Sequence, residues 1–166
     1  MYAAITTIAG IIYFLMAPIT GVLITLVGGR QSKRKNQSRL KASLALMLLL
    51  GGSALAAMSL FPNIIIKLLM GSKYLVDAHY LPRIGLAMLL LAAANALMMY
   101  HIALKRYAYS IASIVIFALM LGLMRANHGT IGAVINNIVF GSFLLLTITV
   151  LQNFYFNYHQ PGEGNV

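Results

Sequence analysis

The sequence predicts an all-α, polytopic helical membrane protein, and three observations lead there. Five apolar runs recur along the chain, each near or above the ~20 residues that cross a hydrocarbon core. Charged residues make up 8% of the chain and hydrophobic ones 61%, whereas a soluble domain carries about 25% charged. Too few polar residues remain to coat a soluble core. The charges also fall between the apolar runs or at their ends.

The first run, 2–27, is about 39 Å long as a helix. Pro18 inside it removes one backbone hydrogen bond and predicts a kink, serving either as a packing feature or as a hinge. Gly28-Gly29 ends the run. A basic loop follows, with Arg30, Lys33, Arg34, Lys35, Arg39 and Lys41 and no acid. The second run, 40–61, contains Gly51, Gly52, Ser53, Ala54, Ala56 and Ala57. Small residues let helices approach closely in lipid, so this part is expected to face another helix.

The segment 62–74 is apolar but too short to cross. Pro62 suits a first helical turn, Gly71 closes the turn, and Lys67 and Lys73 can reach headgroups. It reads as a short interfacial helix. The third run, 81–104, opens on Pro82-Arg83 and closes on Lys105-Arg106. Asn95 lies near its middle and is expected to face protein or water rather than lipid. His101, one turn from the end, is expected at the interface. The fourth run is 107–124. The fifth, 130–151, carries Asn136-Asn137 in its second turn. A polar, aromatic tail, 152–166, is expected to be disordered at its end.

The charge bias sets a topology. The first basic loop and the Lys105-Arg106 turn fall on one side, with eight cations; Lys67, Lys73, Arg83 and Arg125 fall on the other. By the positive-inside rule the N-terminus is outside and the C-terminus cytoplasmic. The net charge of +10 would point to nucleic acid in a soluble protein. Here every basic cluster abuts an apolar run, so membrane lipids are the expected partners and no nucleic acid is expected. The first run is too long for a signal-peptide core and lacks a basic start.

Catalytic chemistry has little to work with. The only acids are Asp77 and Glu163, so no carboxylate pair is available for acid–base work. There is no cysteine, the four histidines lack ligand spacing, and Gly28-Gly29 does not begin a phosphate-cradling loop. No enzyme activity, metal or cofactor is expected. Transport or packing within a membrane complex remains.

One stretch carries a resemblance: Leu60-Phe61-Pro62, Ile64-Ile65, Leu68-Leu69-Met70-Gly71, Tyr74, Ala78, Leu81 and Arg83-Ile84. It resembles a recurring segment of bacterial polysaccharide flippases, the O-antigen translocases and repeat-unit exporters of the multidrug/oligosaccharidyl-lipid/polysaccharide exporter superfamily. In that family an aromatic-Pro opens an aliphatic run, a Gly-x-x-Tyr turn follows, and an Ala-x-x-x-Leu pattern enters the next span. The flanking spans, 18–151, fit as well. This chain departs from the pattern in two places. The family commonly has a Gly in the turn where Leu104-Lys105 stands, and a Pro with Ser near Thr25 to Gly28.

Family members have about twelve to fourteen spans in two pseudo-symmetric bundles. The five spans here look like the last five of a twelve-span member, and the outside start and inside end agree with that placement. The resemblance implies a location in the bacterial cytoplasmic membrane. It also implies translocation of an anionic lipid-linked oligosaccharide by alternating access, driven by an ion gradient. Arg83, Lys105 and Arg106 would meet the pyrophosphate, Asn95, Asn136 and Asn137 would meet sugar hydroxyls, and Pro18 would serve as a hinge. Half a cavity cannot alternate, so a missing N-terminal bundle or self-association is implied. Two other readings stay open: a non-transporting accessory subunit, and a truncated remnant of a flippase gene.

Overall fold

The computed structural model describes residues 2–27, 32–105, 108–126 and 129–159, and these form an all-α bundle with no strand among them. The helices are α1 (Tyr2–Val27), α2 (Lys33–Leu60), α3 (Pro62–Met70), α4 (Leu81–Ala103), α5 (Ala108–Ala126) and α6 (Ile131–His159). A 3₁₀ segment, Ser72–Tyr80, joins α3 to α4. Four stretches are long and apolar enough to cross a membrane: Thr6–Val27, Arg34–Leu60, Ala78–Ala103 and Ile131–Phe156. In α5 the described apolar stretch, Ser113–Arg125, is shorter.

α4 is the central helix. It packs on α1, α2 and α6 and touches α5. Its small residues explain why: Gly85, Ala87, Ala92, Ala94 and Ala96 are all buried and lie around much of its circumference. The closest convergence is at Gly85. An added Cβ there would stand 3.1 Å from Leu55 Cδ1 and 3.3 Å from both Ile12 Cδ1 and Met58 Sδ. A side chain at this position would require these side chains of α1 and α2 to give by a few tenths of an ångström.

The core has two ends. At one, Ile8 and Ile12 of α1 meet Ile66, Leu81, Ile84 and Ile135. At the other, Leu23 and Val27 meet Leu40, Leu97 and Tyr100. The first end carries α3, and the second carries the basic start of α2 and Lys105. Outside the core the helices present apolar side chains outward, such as Phe14, Leu48, Leu49, Ile114, Leu121, Phe140 and Phe143. A bundle with this surface is solvated by hydrocarbon, and its helices satisfy their own backbone groups there.

Three expectations change. From Lys33 on, the basic stretch expected as a loop is the start of α2, which begins there rather than at 40; Arg30 lies outside the described residues. Nothing after Gly29 breaks a helix, and Ser32 stands extended at the N-cap position while its carbonyl accepts from Lys35 and Asn36. The expected tail is helical as far as His159, with no Pro or Gly among its residues before Pro161. The small-residue stretch of α2 is divided. Gly51 lies under Leu89, and Ala54 packs in the core, but Ser53, Ala56 and Ala57 are exposed.

Candidate functional site: a cleft halfway along α4

One face of α4 presents Met88, Leu91, Asn95 and Met98, recurring at three- and four-residue steps as a helical face requires. Tyr13 of α1, Ser113 and Phe117 of α5, and Leu145 of α6 complete a cleft of about 290 Å³. Its lining is almost wholly apolar. Ser113 Oγ donates to Met98 Sδ at 3.1 Å. Asn95 is half-buried and makes no hydrogen bond with any described residue. It stands about 21 Å along α4 from Leu81 and lines the cleft.

The other expected site residues do not gather there. Arg83 is exposed in the first turn of α4. Lys105 is exposed just past the other end. About 33 Å of helix rise separates the two. Lys105 has φ 59°, in the left-handed region that glycine adopts freely. It occupies the turn where the flippase pattern carries a glycine. Arg106 lies outside the described residues. Asn136 is exposed. Asn137 Nδ2 donates to the Leu123 carbonyl at 3.3 Å, tying α6 to the last turns of α5. Pro18 is exposed within α1, which continues through it without a break.

His101 lies in the last turn of α4, enclosed by protein. It is fully buried, with Nε2 donating to Asn153 Oδ1 at 3.1 Å and the Phe156 ring 6.4 Å away. The extra helical turns of α6 supply both partners. They lie in the segment read as a polar tail beyond the last span, where the Asn153–Phe156 spacing, a single helical step, was the available signal. Ser113 and Tyr13 were missed because neither spacing nor charge distinguishes them from packing residues. Arg39 was read only as a topogenic charge, yet its guanidinium donates to the Leu26 carbonyl. It thereby closes the C-terminal turn of α1.

Fold and site together define a multi-pass helical membrane protein with a cleft halfway along its central helix. Comparison with known protein families, curated proteins and solved structures finds no match.

Proposed function

We propose that this chain is one bundle of a translocator for an anionic lipid-linked oligosaccharide. It works by alternating access with a second bundle, either another chain or a second copy. The observation that carries the reading is Asn95, without a hydrogen-bond partner among the described residues, lining an apolar cleft halfway along the central helix. A polar group at that depth is costly unless something meets it. A cleft of this size is at the small end for a ligand site. It fits a segment of lipid chain with one hydroxyl or phosphoester oxygen at the amide. The Pro62 to Ile84 pattern supports the choice of cargo.

Arg83 and Lys105 stand too far apart to hold one pyrophosphate together. In this reading they meet it in turn, at the two surfaces between which the headgroup moves. A second reading, an accessory subunit, is favoured by Ser53, Ala56 and Ala57, which leave a small-residue face on α2 open to another helix.

Reconstitution into vesicles with a lipid-linked oligosaccharide tests the proposal, with accessibility of the sugar to an external enzyme as the readout. Wild-type protein, alone or with a co-purified second bundle, should move lipid faster than protein-free vesicles. Asn95→Leu, Arg83→Gln and Lys105→Asn should each slow it at unchanged insertion. Asn suits the left-handed turn, so Lys105→Asn removes charge without straining the backbone. No movement above protein-free vesicles rules the proposal out in favour of the accessory subunit.

A further inference from the structure

We propose that the basic end of the bundle is a binding surface for anionic phospholipid headgroups, formed by Arg34, Lys35 and Lys41 of α2 with Lys105 beyond α4. This inference is independent of the translocation reading.

The argument begins with charge. The whole chain has twelve cations and two acids, Asp77 and Glu163. Most of its cations therefore have no carboxylate within the chain to pair with, and their counterions must come from outside.

Length supplies the position. α2 has 28 residues and rises about 42 Å, against a hydrocarbon core of about 30 Å. Measured back from Leu60, about 20 residues fill that core and end at Lys41. The first two turns of α2 then project into the headgroup layer. Arg34 and Lys41 are seven residues apart on one face, and Lys35 lies beside them; all three are exposed. Lys41, at the border, can extend its stem along the apolar belt and its ammonium outward.

Arg39 has a different job. It is only partly exposed and turns inward to the Leu26 carbonyl. The described cations of this basic run thus divide into one that holds α1 to α2 and three that are exposed. Lys105 adds a fourth exposed cation at the same end, where the Leu97 and Tyr100 turns of α4 pack on Leu23 and Leu40. The other end is weaker in charge, with Lys67, Lys73, Arg83 and Arg125 spread over three helices and the 3₁₀ segment. A phosphatidylglycerol or similar headgroup meets the basic end with an accessible phosphate and no ammonium to repel.

The test uses the full chain in mild detergent, with bound lipid counted by native mass spectrometry. Phosphatidylglycerol is compared with phosphatidylcholine of the same acyl chains. Wild type should bind phosphatidylglycerol at least about tenfold more tightly, since each cation near the surface is worth roughly fivefold. The preference should fall as salt rises. Arg34→Gln/Lys35→Gln/Lys41→Gln should abolish most of it while melting at the wild-type temperature. Arg39→Gln should keep it while melting lower. Four results would each overturn the proposal. These are equal binding of the two lipids by wild type, a preference that survives the triple change, a preference lost in Lys67→Gln/Lys73→Gln instead, and competition by free glycerol phosphate as effective as that by the lipid.

Discussion

His101 donates to Asn153 at 3.1 Å, and at the far end of the same two helices Tyr80 lies over Gly132, 3.4 Å from where a Cβ would stand. Both pairs are separated by 52 positions in sequence. α4 and α6 therefore run side by side in the same direction and do not slip over about 32 Å of rise, close to the thickness of a hydrocarbon core. Parallel neighbours need a return element, and α5 provides it. α5 leaves near Lys105 and is tied to α6 again through Leu123 and Asn137.

The His101–Asn153 bond fixes the basic end of this register. His101→Leu removes the ring donor to the half-buried Asn153 amide oxygen, and a loss of about 1 kcal/mol is expected. Asn153→Leu should be similarly harmful. The double Leu variant should be less damaged than the sum, with a coupling of about 0.6–1.7 kcal/mol as for other interhelical bonds in membranes. Reversible unfolding in mixed micelles measures all three. Strict additivity would mean the contact does no work between the helices.

The helical fold and the long apolar helices were legible because hydropathy over a span of twenty residues is a strong and local signal. The short helix after Phe61 was legible for a similar reason, since Pro62 and Gly71 punctuate it. What stayed hidden was non-local. Nothing near His101 in the chain announces Asn153, and Arg39 differs from its basic neighbours only in pointing inward. The central place of α4 was partly readable. Ala92, Ala94 and Ala96 put small residues on several sides of one helix, which is the mark of a helix packed all round. Asn95 was expected to face protein or water, and it lines a cleft with apolar walls. The walls of its cleft come from three other helices whose arrangement no run of residues specifies.

Gly71 joins α3 to the 3₁₀ segment with φ 86° and ψ 170°. This is a region open essentially to glycine alone, and a side chain there costs of order 1–3 kcal/mol. No atom lies within 4 Å of the missing Cβ, so the penalty is one of backbone and not of space. Gly71→Ala and Gly71→Asn should therefore lower stability by similar amounts. Asn, which relieves a left-handed turn elsewhere, gives no help at ψ near 180°. Thermal melting of the two variants decides it. A clearly more stable Asn variant would show that the segment had re-formed as an ordinary left-handed cap.

Gly141 of α6 holds the side chain of Met120 from α5. A Cβ at Gly141 would stand 2.4 Å from Met120 Cγ and 2.5 Å from its Sδ. The clash reaches the stem of the methionine, so moving its tip is not enough. Gly141→Ala should cost about 1–3 kcal/mol through overpacking. Met120→Ala in the same chain removes the obstructing atoms and should recover part of that loss. The double variant melting below Gly141→Ala alone would argue that α5 and α6 do not meet here.

Two asparagines make opposite predictions from the same substitution. Asn137 spends its amide on the Leu123 carbonyl, so Asn137→Leu removes a donor and should destabilise the α5–α6 pairing by about 1 kcal/mol. Asn95 has no hydrogen bond to lose among the described residues. Replacing it by Leu exchanges an amide at membrane depth for an apolar group of similar volume, which should leave stability equal or raise it. If Asn95 is kept for function, Asn95→Leu loses activity and keeps its melting temperature, while Asn137→Leu melts earlier. A large drop in stability for Asn95→Leu would show instead that the amide is held by the protein, and the cleft would then be a packing gap with no claim on a ligand.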